Sequence, residues 1–198
     1  MSEGGPSRLR LRFETVGSIA AIVVGVAALF VSWDQARVMR AQQHASVLPA
    51  IQIDGYQSRD AQTASIGLRV RNAGVGPAIL SSVDLARLGE PSEDFAPIAV
   101  LLPEDYNINW STMIGRVVAA GETVEAVSFH WPVSALDAEQ AEALAAEWAS
   151  WDVTVCYCSV FDRCWIAETR GVGDRARDVK SCPSPDYDLF ERLGAQRL

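Results

Sequence analysis

Histidine and lysine are nearly missing from this chain: two histidines and one lysine occur among 198 residues, and no cysteine occurs before residue 156. The scarcity of histidine removes most acid–base and metal chemistry from consideration. His44 and His130 stand alone in sequence, and no HExxH, Ser-His-Asp or Walker pattern accompanies them. A histidine without partners is more often structural than catalytic. The single Lys180 stands against 16 arginines, a composition effect that carries no function. Strands are not followed by regular helices, which argues against a parallel sheet. These absences predict a non-enzymatic protein without a cofactor.

Charge is also missing where it says most. Val16 to Trp33 holds no ionisable side chain and only two hydroxyls. Eighteen helical residues span roughly 27 Å, close to the hydrocarbon thickness of a bilayer. A secretory signal has a shorter apolar region followed by a cleavage site, and a core helix carries a polar stripe. Neither feature is present, so the run reads as an uncleaved membrane helix with the lipid bilayer as its first partner. Arg8, Arg10 and Arg12 precede it and Arg37 and Arg40 follow. That margin favours a cytoplasmic N-terminus. The run divides the chain into a tail (1–14), a membrane helix (15–33), a helical stalk (34–48) and a domain (49–198). Gly17, Ala21, Gly25, Ala28 and Ser32 share one helix face, a spacing that suits packing on a partner helix or a second copy.

Outside the helix the balance is acidic. The five arginines and three acids before Val47 leave 12 basic and 22 acidic residues after it, a net charge of −10. Such a surface repels nucleic acid, so no nucleic-acid partner is expected.

After Pro49 the apolar period becomes two. AIQIDGY, SIGLRVRN, PAILSSVDLARL, ETVEAVSFHW, WDVTVCYCSVF and CWIAETR read as short strands separated by Gly, Pro and Asn. The expected fold is mainly β: an antiparallel Ig-like β-sandwich with one crossover helix, preceded by the membrane helix. The turn Asn72-Ala73-Gly74-Val75-Gly76-Pro77 is the clearest break, with Asn and the two glycines read as positive-φ positions. It lacks the Lys-Ser/Thr and following helix of a phosphate loop. Gly89 to Thr112 is expected to hold a short edge strand or one helical turn, and to be the loop where binding would fall. Its Glu104-Asp105 pair reads as solvated loop acids. The crossover helix is read with Ser134 as cap and Asp137 completing the capping box. A short helix from Asp186 to Leu193 is read with Ser184 as cap, Pro185 first and Gly194 as stop.

Cys156, Cys158, Cys164 and Cys182 all lie in the last quarter. An even, clustered set suggests disulfides in an oxidising compartment, with a zinc site or buried thiols as alternatives. If Val153, Val155 and Tyr157 face the core, Cys156 and Cys158 fall on the opposite face. With Phe161-Asp162-Arg163 as the hairpin loop, Val160 pairs with Cys164, which joins that face diagonal to Cys158. Among three connectivities, Cys158–Cys164 with Cys156–Cys182 is favoured.

The stretch from Gln43 to Leu80 resembles a broad group of uncharacterised bacterial single-pass membrane proteins. In that group a His-x-x-Ser-Val-x-Pro-like stalk leads into a β-sandwich with an Asn-x-Gly-x-Gly-Pro-Ala turn. The matching residues are His44, Ser46, Val47 and Pro49, then Asn72, Gly74, Gly76, Pro77 and Ala78; only Ala45 separates His44 from Ser46. The turn also looks like those of Ig-like bacterial adhesion-related domains. The resemblance implies an anchor and a sandwich and carries over no catalytic residue. Three functions follow as expectations. The first is a binding or scaffold module with an unknown protein partner, anchored in the bacterial cytoplasmic membrane and lying on its periplasmic or extracellular side. The second is an accessory subunit of a membrane complex. The third is a thiol-redox or metal protein using the cysteine cluster.

Overall fold

The computed structural model describes residues 8–169 and 176–195. The chain divides into two compact units, Met1–Ala45 and Ser46–Leu198. The first holds all but the last residue of α1 (Arg8–Ser46), one continuous 39-residue helix. Within it, Thr15–Ser46 is long and apolar enough to cross a membrane. The helix runs unbroken into the expected stalk and ends at Ser46, two residues before the expected bound of 48, because no breaker occurs before Pro49. Residues 1–7 of the expected tail, and Arg170 of the last expected strand, lie outside the described residues.

The second unit is a β-sandwich of two antiparallel sheets. One has the order β1 (Ile51–Arg59), β2 (Thr63–Asn72), β7 (Thr123–Pro132), β5 (Asn107–Trp110). The other runs β10 (Arg177–Val179), β9 (Cys164–Glu168), β8 (Trp151–Cys158), β3 (Ala78–Arg87), β4 (Glu90–Ser92), with β6 (Val117–Val118) also paired to β3. Ile66, Leu68 and Val70 point inward, as do Val153, Val155 and Tyr157. Two bulges keep imperfect alternation in phase. The extra residue at Ser81 lets Leu80 and Val83 both face the core, and that at Ala126 does the same for Val124 and Val127.

The Gly89–Thr112 stretch holds both alternatives: the short strands β4 and β5, and the single turn α2 (Ala96–Ala99). Phe95, just before α2, is 3 % exposed and sits among Phe129, Trp148, Trp151 and Phe190, with ring centroids 5.1–6.3 Å away. The crossover helix is α3 (Ala138–Trp148), joining β7 of one sheet to β8 of the other. Its cap differs from the expectation. Asp137 is the N-cap and exchanges hydrogen bonds with Gln140, whereas Ser134 lies in a separate 3₁₀ turn, Val133–Ala135. Asp fits the cap because its carboxylate accepts the orphan N–H of the third helical residue. The last helix, α4, spans Leu189–Ala195 rather than starting at Asp186, and includes Gly194. Its first turn is capped by Asp188, not Ser184: Asp188 Oδ1 accepts from Phe190 N at 2.9 Å.

Candidate functional site

The Asn72 turn is a joint. Asn72 is fully buried, and its side chain makes four hydrogen bonds. Oδ1 accepts from Ala50 N (3.1 Å) and Gly74 N (3.0 Å), and Nδ2 donates to Gly76 O (2.8 Å) and Val118 O (3.0 Å). Ala73 N donates to Ala50 O at 2.7 Å, and Val75 N to Leu48 O at 3.0 Å. The segment entering the domain is thereby fastened to β2 and β6. The backbone differs from the expectation: among the described residues the positive-φ glycines are Gly89, Gly115 and Gly121, not Gly74 or Gly76, and Asn72 is not at positive φ either. Gly74 and Gly76 are glycines because a Cβ at Gly74 would lie 2.5 Å from Ala50 N, and one at Gly76 would run into the Val47 backbone. Pro77 closes the turn where β3 begins, at a position needing no N–H donor.

The cysteines form two disulfides, Cys156–Cys182 and Cys158–Cys164, so no thiolate is left to ligate zinc. This is the pairing that the two-face argument favoured, reached through a different hairpin. Ser159 N donates to Arg163 O at 2.8 Å, leaving Val160, Phe161 and Asp162 as the loop, with Asp162 at φ 56°. Asp tolerates that left-handed position at the end of a three-residue hairpin loop. The register moves accordingly, and Cys164 stands directly opposite Cys158 rather than opposite Val160.

On α1, Gly17, Ala21, Gly25, Ala28 and Ser32 are all exposed, and nothing lies within 4 Å of a Cβ built at Gly17 or Gly25.

A polar band crosses the outer face of β1, β2 and β7, and sequence reading missed it. Tyr56 lies across Gly67, where a Cβ would meet its ring at 2.6 Å, and donates from its hydroxyl to Glu125 Oε2 at 2.6 Å. Arg69 stacks 3.8 Å from the Tyr56 ring centroid, with its Nε 3.8 Å from the same carboxylate. Ser128 donates to Glu125 Oε1 at 2.6 Å. His130 Nε2 lies 2.9 Å from the Ser128 oxygen, whose one proton is committed to Glu125, so histidine is the donor. Burial pushes the Glu125 carboxyl up, but the hydrogen bonds from Ser128 and Tyr56, with the Arg69 and His130 charges, outweigh it and hold it below the usual range. Burial, then the bond to Glu125 and its charge, raises Tyr56. Ser128 is fully buried, so the Ser–His contact presents no reachable nucleophile. Tyr56 and Glu125 are 69 residues apart in sequence, on β1 and β7 with β2 between them. The available sequence signal was a Gly beside polar residues on an otherwise apolar strand.

The second surface is a groove between the α2–β5 loop and the start of α3. It is open to solvent and offers about 670 Å³. Leu101, Leu102 and Leu136 line it with the buried or half-buried apolar side chains, and Val100, 84 % exposed, also lines it. Glu104, Asp105 and Glu139 line it, and among the described residues no Lys, Arg or His does. The Glu104-Asp105 pair lies in the turn that follows α2, while Glu139 stands in the first turn of α3.

Residues 16–166 match the family described as Domain of unknown function (DUF8453). The chain belongs to this family. The DUF8453 region runs from the apolar part of α1 to Ile166 in β9, so the apolar helix and strands β1 to β8 fall within one family unit, and β10 lies beyond it. Cys182 and α4 lie beyond it. No curated protein matches the chain.

Proposed function

We propose that the protein is a membrane-anchored, non-enzymatic binding module. Its sandwich stands outside the bacterial cytoplasmic membrane, and the α2–α3 groove takes a segment of a partner protein. The observation that carries this reading is the groove's chemistry: apolar side chains with three carboxylates and, among the described residues, no cation. The matching occupant is a basic segment that presents an apolar side chain to Leu101, Leu102 and Leu136. The placement outside the cytoplasm is supported by the two disulfides and by the arginine count favouring a cytoplasmic N-terminus. The non-enzymatic reading is supported by the polar band, where Ser128 is closed off and Glu125 is engaged on both oxygens.

The test uses the full chain in phosphatidylcholine nanodiscs, whose zwitterionic lipid does not attract a cationic probe. A fluorescein-labelled peptide alternating lysine with leucine is titrated by anisotropy against its glutamate–leucine counterpart. The basic peptide should bind and the acidic one should not. Neutralising all three acids (E104Q/D105N/E139Q) should weaken binding about tenfold, since exposed charge pairs contribute about 0.2–1 kcal/mol each. Equal binding of the two peptides, or no effect of the triple substitution, would overturn the assignment.

A further inference from the structure

We propose that the two abutting disulfides form a thiol–disulfide exchange site that takes two electrons from a dithiol once, in a stoichiometric and not a catalytic event, and rearranges from Cys158–Cys164 and Cys156–Cys182 to a single Cys158–Cys182 bond. This goes beyond the groove and does not depend on it. The site is built by β8, whose two-residue period places Cys156 and Cys158 on one outward face. Direct cross-strand register sets Cys164 against Cys158, and the chain beyond β10 brings Cys182 onto Cys156. The bonds are not independent. Cys158 Sγ lies 3.7 Å from Cys182 Sγ, and the sulfurs of Cys158, Cys164 and Cys182 all lie within 4.8 Å of one another. Exposure is unequal in a way that matters. Cys156 and Cys164 are 2 % and 6 % exposed, whereas Cys158 and Cys182, the pair in contact, are half-buried. The Ser81 hydroxyl, 3.9 Å from Cys158 Sγ, can donate to a thiolate there.

The reaction balances with a dithiol as the only co-reactant. One of its thiolates attacks Cys158 Sγ, forming a mixed disulfide and expelling the Cys164 thiolate, which takes a proton. The second thiolate attacks the dithiol's own sulfur in that mixed disulfide. The dithiol leaves as its disulfide, oxidised by two electrons, and the Cys158 thiolate is expelled. That thiolate attacks Cys182 Sγ, 3.7 Å away. The Cys158–Cys182 bond forms, the Cys156–Cys182 bond breaks, and Cys156 leaves as a thiolate that takes a proton. This last step is redox-neutral. The C-terminal segment stays tethered through Cys182, while the thiols end on the two buried cysteines.

Limited reduction tests this on the full chain in detergent. One equivalent of dithiothreitol is added, the reaction is quenched in acid, and free thiols are alkylated and mapped by mass spectrometry. The expected products are alkylated Cys156 and Cys164 with a Cys158–Cys182 cross-linked peptide. Alkylation of Cys158 and Cys164 with Cys156–Cys182 intact would overturn the relay, and so would two disulfides that resist reduction. A Cys164→Ser variant gives a second reading, because it leaves Cys158 a free thiol beside Cys182. Cys156 should then be alkylated in a measurable share of molecules. Alkylation of Cys158 alone would count against exchange.

Discussion

Asn72 shows how one side chain fixes the place where the chain enters the domain. Its four bonds reach the incoming segment, its own turn and β6, and leave no buried polar atom of that side chain unpaired. The turn itself was legible, because Asn, Gly and Pro between alternating strands have a local reason to be there. The reason for its glycines was not legible. A positive φ is a property of a single residue, whereas close approach depends on where Val47 to Ala50 are laid down. The two explanations predict different mutants. Gly76→Ala must push the Val47 backbone away and should cost about 3 kcal/mol, at the upper end of overpacking. Gly121→Ala faces open space at φ 80° and should cost about 1 kcal/mol of left-handed strain. Urea unfolding of the full chain in detergent, followed by tryptophan fluorescence, ranks them. A larger loss at Gly121 would restore the dihedral explanation.

At the scale of elements, alternation in β1, β2, β3, β7, β8 and β9 was readable because each strand is five residues or longer, and all but β1 bury much of their length. β4, β6 and β10 have two or three residues, too few to show a period, and exist because a longer neighbour offers them an edge. The polar band was hidden for a related reason: its members meet only after β1, β2 and β7 are paired. It also leads to a pH effect. Glu125 has a folded-state pKa below its unfolded value, so its contribution is present above the usual carboxylate pKa of about 4.3 and is lost as pH falls through the lower folded value. Unfolding free energies measured from pH 7 down to 3 should therefore fall more steeply for the wild-type chain than for Glu125→Gln. Tyr56→Phe removes one donor to the carboxylate and should lie between them. Parallel curves for all three would show that the band does not hold Glu125 ionised.

Across the whole molecule, the C-terminal segment closes what the first strands leave open. Phe190 is fully buried in the aromatic group around Phe95, and Cys182 ties the same segment to β8. Between them sits Asp188, 7 % exposed. One carboxylate oxygen caps α4, and the other accepts from Met113 N and Ile114 N at 2.6 Å each. Nothing in the sequence announces this contact, since its partners are 74 and 75 residues apart and neither is polar in its side chain. The local signal instead favoured Ser184 and Pro185, a pattern that caps helices in general but here precedes an irregular stretch. Substitution separates the local from the long-range explanation. Asp188→Ala strands the Met113 N–H in the core along with its charge-assisted bonds, and should lower stability by about 3 kcal/mol. Ser184→Ala should change it by less than about 0.5 kcal/mol. Denaturant midpoints at constant slope measure both, because an unchanged slope means the same surface is exposed on unfolding. If Asp188→Ala also speeds proteolysis after residue 176 without lowering the midpoint of the remaining sandwich, the segment unfastens on its own. A fall in the midpoint of the whole domain means that it is part of the cooperative core, as the burial of Phe190 requires.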